Sequence, residues 1–351
     1  MFIYFSDTRR VALNAGAKMV STGLAPGLAR VKAHGMNLQN VPVLVTGGSG
    51  FVGSRIAAWL AREGALVRAI VRKNGDHPGL GSPRITQFEG DFTDPATAQL
   101  ACAGARLVFH AAATVGTDLD DALQVNATGT AALAAAAQVA GCERFIHVST
   151  VSVYNFQSGD KAYDEGSPMR EVGKKYAHSP AASPHYGIAK AEAERKLQAE
   201  MARGLPATIF RLGAVLGLHP TSVWVTKVPA KVRLGQVPIR GDGSDPMPMT
   251  HVDNVVRAIA LSLDCPASIG RAYNVVDEEV LWRDFIEEMR SWFPEAPPAP
   301  VVPAEKVRPE DAFVGHCPDR RTRAELGYAP VRTYAEGMAE AREWWRSGAV
   351  E

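Results

Sequence analysis

The sequence predicts an α/β fold: a doubly wound parallel sheet followed by a smaller mixed C-terminal substrate domain. Three features carry this. From Val41 to Leu212, short and almost wholly apolar runs alternate with longer stretches whose apolar residues recur at helical spacing. Apolar strands alternating with helices are the pattern of a parallel sheet covered on both faces. The first apolar run leads directly into a glycine-rich turn that opens a helix, whereas the text beyond residue 212 is turn-rich and irregular.

The elements follow in order. Val43–Val45 reads as a first strand, and Phe51–Glu63 as a helix stopped by Gly64. Ala65–Val71, Arg84–Phe88 and Leu107–Phe109 are the next strands. Asp120–Ala140 reads as one long alanine-rich helix ended by Gly141. Phe145–Val148 is a fifth strand, Pro184–Arg203 a helix, and Ala207–Leu212 a sixth strand. Crossovers between parallel strands are expected to be right-handed, and ligand is expected beyond the C-terminal strand ends. Further on, Gly241-Asp242-Gly243-Ser244-Asp245-Pro246 is a turn cluster, and the six prolines from Pro294 to Pro309 form an extended wrap. Arg320–Leu326 and Tyr334–Arg346 are helices. The expected division is residues 1–40 as an extension, 41–212 as the dinucleotide-binding domain and 213–351 mainly as the substrate domain. Segments near 250–277 are expected to return to the first domain.

Composition limits the function. The 351 residues are 46% hydrophobic and 21% charged, an ordinary globular balance. Lys and Arg total 38 against 37 Asp and Glu, so no overall basic field exists to hold a nucleic acid. Cys102, Cys142, Cys265 and Cys317 are widely spaced, which suggests neither a disulfide framework nor a metal site. No uninterrupted apolar run reaches the roughly 18 residues of a membrane span. Residues 1–40 contain one acid, Asp7, against five Arg and Lys. They read either as a transit-like leader or as an upstream start preceding Met36. Cytoplasmic location is expected, with organellar import if the leader is genuine.

Thr46-Gly47-Gly48-Ser49-Gly50-Phe51-Val52-Gly53 follows the first strand. Gly47 permits a tight turn, Gly50 lets a diphosphate approach the backbone, and Gly53 lets the helix pack on the sheet, as in a Rossmann-type dinucleotide site. The free N–H groups of the helix start, with Ser49, Phe51 and Val52 among the turn residues, suit the phosphates. The second strand ends in Val71-Arg72-Lys73, with no acid before Asp76. A basic Arg72 there favours the 2′-phosphate of NADP, with NAD the alternative.

Tyr186 and Lys190 stand four residues apart and share a helix face. A nearby ammonium is expected to lower the tyrosine pKa, so that Tyr186 exchanges a proton near neutrality while hydride moves. Thr150 leaves the fifth strand where ligand is expected, and its hydroxyl could orient a substrate oxygen. Ser149 and Ser152 are the alternatives.

On these motifs the sequence resembles the extended short-chain dehydrogenase/reductases, also called the NAD(P)-dependent epimerase/dehydratase family. The resemblance runs from about Val43 to the C-terminus. Its ordered motifs are TGGSGFVG at 46–53, GDFTD at 90–94, HAAA at 110–113, VNATGT at 125–130, STVSVY at 149–154, YGIAK at 186–190, RLGAVLG at 211–217 and THVDNV at 250–255. It implies Thr150, Tyr186 and Lys190 as catalytic residues, with Asn126 supporting the site from a helix. It also puts Asp91 and Phe92 beside the adenine and Ala111, Ala112 and Ala113 along the cofactor. His251 and Asp253 match a segment joining the two domains. A homodimer through the helices at 120–140 and 184–203 is implied likewise.

Two departures narrow the reading. Val151 and Ser152 stand where related dehydratases carry an acid pair, so dehydration is not expected. Arg211-Leu212-Gly213-Ala214-Val215 lacks the asparagine usual in nucleotide-sugar epimerases. This run and Arg72 look more like the dihydroflavonol-reductase and 3β-hydroxysteroid-dehydrogenase branch. Val223–Val225, Val228-Pro229 and Met247-Pro248-Met249 are expected to form an apolar pocket wall. Lys227, Lys231, Arg233 and Arg240 keep a sugar-nucleotide substrate open. The leading expectation is an NADP(H)-dependent oxidoreductase acting on the carbonyl or secondary alcohol of a small apolar substrate. The alternatives are a nucleotide-sugar 4-epimerase and a non-catalytic NADP-binding scaffold or sensor.

Overall fold

A computed structural model describes residues 35–348, apart from 116–117, 157, 159–161, 177–183 and 307–314. Most of the N-terminal extension therefore lies outside the described residues.

The chain runs β1 (Pro42–Thr46), α1 (Phe51–Arg62), β2 (Leu66–Val71), β3 (Ile85–Glu89), α2 (Pro95–Cys102) and β4 (Leu107–His110). Next come α3 (Leu119–Ala122), a π-helical turn (Leu123–Thr128) and α4 (Gly129–Val139), then β5 (Arg144–Thr150), α5 (Pro184–Ala202) and β6 (Ala207–Leu212). The remainder is β7 (Ala214–Leu216), α6 (Val228–Arg233), β8 (Ile239–Arg240), β9 (Pro246–His251), α7 (Val252–Leu263), β10 (Ala272–Val275), β11 (Glu278–Leu281), α8 (Trp282–Arg290), β12 (Val301–Val302), α9 (Arg320–Leu326) and α10 (Tyr334–Arg346).

Seven parallel strands form the main sheet in the order β10-β6-β5-β4-β1-β2-β3. The order reverses between β1 and β4, where Val43 lies opposite both Val67 and Leu107. Such a switch point opens a crevice at the C-terminal strand ends. One face of the sheet is closed by α1 and α7, through Ile56, Trp59, Leu60, Val255 and Ile259. The other is closed by α2, α4 and α5, through Ala98, Leu133, Ala137 and Leu197. Strands covered on both sides have little room for polar side chains, which is why β4 reads simply Leu-Val-Phe-His and is wholly buried.

Several details depart from the sequence reading. The helix expected over 120–140 is interrupted by the π-turn at Leu123–Thr128, where Asn126 is buried. Helix α2 is an element beyond those expected from the sequence: Asp94 caps it by accepting from Thr97 N–H, and Pro95 opens it. In the C-terminal half, β9 sits between antiparallel β11 and parallel β7. That sheet packs on α6, α8 and α10 through Val228, Met247, Met249, Trp282, Phe285 and Met338. The Met247-Pro248-Met249 and Val225/Val228 groups are thus core rather than pocket wall, because a central strand is covered on both faces. Only Val223 and Trp224 of that set remain half-buried. Arg233, read as a possible diphosphate contact, pairs with Glu295 at 3.3 Å.

Candidate active site

The glycine turn is built by hard sterics. Gly47 adopts φ +70°, and a Cβ there would lie 2.8 Å from Ala112 N. A Cβ on Gly53 would lie 2.1 Å from the Gly47 carbonyl oxygen. Only glycine lets the strand, the turn and the loop after β4 meet this closely. Gly50 caps α1 without any side-chain hydrogen bond, and no acid stands in the first turn. The N–H groups at the helix start thus remain available to an anion. A backbone cradle of this shape fits the diphosphate of a dinucleotide.

The neighbouring residues tighten the cradle. Thr46 Oγ1 lies 2.7 Å from His110 Nδ1 and accepts from Ala112 N–H at 3.2 Å. His110 Nε2 lies 2.9 Å from Thr130 Oγ1, which donates to the Asn126 carbonyl. Asn126 accepts from Thr114 N–H and donates to the Thr114 carbonyl, both at 2.8 Å. It thereby fastens the loop that carries Ala111, Ala112 and Ala113. Asp91 accepts from Thr93 N–H and its hydroxyl. Phe92 is buried with its ring edge-on to His110 at 5.1 Å. Its ring is spent in the core, so only its backbone is left to meet an adenine. Arg72 stands exposed just past the end of β2.

Thr150 ends β5, and its Oγ1 accepts from Ser152 N–H at 3.1 Å. Helix α5 crosses this turn so closely that a Cβ on Gly187 would lie 2.3 Å from the Ser152 carbonyl oxygen. The residue beside Tyr186 thus sets the spacing between the helix and the Thr150 turn. Tyr186 is half-buried. Burial pushes its phenol up to about 12. This corrects the expectation that Lys190 lowers it: desolvation decides the direction here.

Lys190 is buried, and its ammonium donates to the Val148 carbonyl at 2.8 Å and to His147 Nε2 at 3.0 Å. Burial lowers its pKa to about 8, while Glu194 one turn on pulls the other way. Because His147 accepts at Nε2, its proton sits on Nδ1, which is buried without a partner. Desolvation and the lysine keep this imidazole neutral, its pKa well below the ordinary histidine value. Its ring lies 5.2 Å from that of His110. Glu194 accepts from Ser149 Oγ at 2.5 Å and from Arg211 at 2.7 and 3.1 Å. Arg211 also donates to Tyr154 Oη, which donates to Asn274 Oδ1 at 2.6 Å. Ser149, an alternative to Thr150, is therefore committed to Glu194.

The structure brings Thr150, Tyr186 and Lys190 to one end of β5 and the first turns of α5. Asn126 and the alanine run are brought to the cradle. His147, Glu194 and Arg211 were not read as site residues. The four-residue spacing of Tyr186, Lys190 and Glu194 was visible, but the acid's partners come from other strands. His251 caps α7, accepting from Asp253 N–H at 3.2 Å, and faces Glu340 of α10 at 3.6 Å. Four free cysteines are present, of which Cys102, Cys142 and Cys317 are buried.

A sequence model of the NAD dependent epimerase/dehydratase family matches residues 43–275. The chain belongs to this family. It is an enzyme of the extended short-chain dehydrogenase/reductase type, whose chemistry is oxidoreduction with a nicotinamide dinucleotide. It is 30% identical over 261 residues to a 2-alkyl-3-oxoalkanoate reductase of Stenotrophomonas maltophilia, covering 70% of this chain and 74% of that one. A dTDP-glucose 4,6-dehydratase of Streptomyces niveus is 27% identical, covering 87% and 92% respectively. Among solved structures, a dTDP-glucose 4,6-dehydratase of Streptomyces venezuelae with NAD bound superposes with a TM-score of 0.71. It is 25% identical, with 88% of this chain and 97% of that one covered. A UDP-glucose 4-epimerase of Thermotoga maritima shares the fold, with a TM-score of 0.73 at 21% identity over 88% and 99%. No helix among the described residues is long and apolar enough to cross a membrane.

Proposed function

We propose that the chain is an NADPH-dependent carbonyl reductase acting on a small, largely apolar ketone, and the corresponding alcohol dehydrogenase in reverse. The observation that carries this reading is geometric: the half-buried phenol of Tyr186 stands one helical turn before the buried ammonium of Lys190, beside a Thr150 turn that holds no carboxyl group. Bound in the glycine cradle, a reduced nicotinamide dinucleotide supplies hydride.

Tyr186 acts as the acid. Its raised pKa keeps the phenol protonated through the neutral range, ready to give its proton to an oxygen on which charge develops. Thr150 Oγ1 already accepts from Ser152 N–H, so its own hydrogen is available to orient that oxygen. Lys190, on the same face of α5, holds a positive charge that stabilises the phenolate left behind. The Val148 carbonyl and His147 keep its ammonium in place. Val151 and Ser152 supply no carboxylic acid to protonate a leaving hydroxyl, which favours carbonyl reduction over dehydration.

Likeness to a 2-alkyl-3-oxoalkanoate reductase supports a ketone substrate and makes 3-oxo acids the first compounds to try. Arg72, exposed beyond β2, suits the 2′-phosphate of NADPH. The test is Tyr186→Phe. Turnover should fall by at least about 10²-fold, the lower range for a positioned acid, while NADPH affinity stays within a few-fold of wild type. Retained turnover would mean that another group supplies the proton.

A further inference from the structure

The loop after β7, Gly217–Ser222, lies against the start of α1. A Cβ on Gly217 would come within 3.0 Å of the Phe51 ring. Two residues on, the His219 ring stacks on Phe51, with centroids 5.8 Å apart and planes 27° from parallel. Phe51 is the first residue of the helix whose uncapped N-terminus forms the cradle.

His219 is 6% exposed. Its Nδ1 accepts from the backbone N–H of Thr221 at 3.2 Å, with the Thr221 hydroxyl at 2.8 Å. A backbone N–H can only donate, so Nδ1 carries the lone pair and the proton of the neutral ring is on Nε2. Burial and the nearby Arg55 lower the ring's pKa to about 4, so it is neutral across the physiological range. Nε2–H is then a buried donor with no acceptor among the described residues. Ser222 Oγ, on the same loop and 1% exposed, is likewise without a partner. Leaving buried polar groups unpaired is costly, and an unpaired donor on a ring stacked against the first residue of the cradle helix requires an explanation.

We propose that His219 is a cofactor-holding residue, donating its Nε2–H to an oxygen of the diphosphate–ribose stretch of a nicotinamide dinucleotide in the cradle. This rests on the dinucleotide reading of the glycine turn. The role is one of grip and placement, since the ring exchanges no proton in the reaction.

Isothermal titration of NADPH and NADH into wild type, His219→Phe and His219→Gln tests it, with adenosine 2′,5′-bisphosphate as a probe lacking the diphosphate bridge. Phe keeps the stack and removes the donor. It should weaken whichever dinucleotide wild type binds by about tenfold, and leave the bisphosphate within twofold. Gln, which retains a terminal donor, should recover most of the loss. Without cofactor, the Phe variant should melt no lower than wild type, because an unpaired donor has been removed. His219→Leu carries the same expectation for binding if the Phe variant does not fold. Dinucleotide binding within twofold of wild type in the donor-free variants overturns the proposal alone. Equal weakening of the bisphosphate, with a lowered apo melting point, overturns it in favour of a structural role. Wild-type protein that binds neither dinucleotide overturns both the proposal and the reading of the cradle beneath it.

Discussion

Gly187→Ala is a one-carbon change that tests whether the distance between α5 and the Thr150 turn is functional. The added Cβ would lie 2.3 Å from the Ser152 carbonyl oxygen, against a shortest tolerable separation of 3.0 Å. The helix or the turn must therefore retreat by about 0.7 Å, and the obstacle is backbone rather than a flexible side-chain end. Overpacking of this kind costs about 1–3 kcal/mol, while alanine in place of glycine inside a helix returns about 1 kcal/mol. Stability should therefore fall by no more than about 2 kcal/mol. Activity should suffer more, since displacing reacting groups by roughly 1 Å can cost about 10²-fold. We expect kcat/KM to drop at least tenfold in steady-state assays. Gly81→Ala serves as the control, because nothing lies within 4 Å of its added carbon. A Gly187→Ala enzyme with wild-type kcat/KM would refute the claim that this contact sets the geometry of Tyr186 and Thr150.

The remaining predictions concern the buried charges behind the site. Glu194→Gln leaves the buried Arg211 charge without its carboxylate partner, and urea unfolding should show a loss of about 3–5 kcal/mol. A Glu194→Leu/Arg211→Met pair should recover much of that loss. Lys190 has a folded pKa of about 8 against an ordinary 10.5. Between those values the unfolded chain holds a proton the folded protein has shed, so unfolding free energy rises with pH across the window. The cost of burying the charge is fully present below about pH 8. Thermal melts from about pH 7 to about pH 9.5 should therefore show wild type gaining on Lys190→Met as pH rises. A constant gap between the two would contradict this assignment.

The sheet was legible because burial on both faces leaves strands such as β4 almost no polar choices. The cradle was legible because Gly47 and Gly53 answer to hard-sphere contacts that no other residue satisfies. The pairing of Lys190 with His147, and of Glu194 with Arg211, was not legible. Each joins α5 to a strand, and neither local spacing nor periodicity encodes which buried charge meets which partner. The direction of the Tyr186 shift was misread for a related reason. Sequence gives the four-residue spacing to Lys190, but desolvation depends on what the rest of the fold packs around the phenol. The Met247-Pro248-Met249 run was misassigned to a pocket because its place at the centre of a second sheet is a matter of topology.

The most direct test supplies purified protein with NADPH or NADH and a panel of 3-oxo acids, other ketones and nucleotide sugars, following reduced-nicotinamide absorbance and product together. Reduction through Tyr186 predicts that NADPH is consumed one-for-one with alcohol formed from a ketone, faster than NADH, and not at all by the Tyr186→Phe variant. Conversion of a nucleotide sugar with no net change in nicotinamide redox state, on protein purified with dinucleotide already bound, would contradict the account.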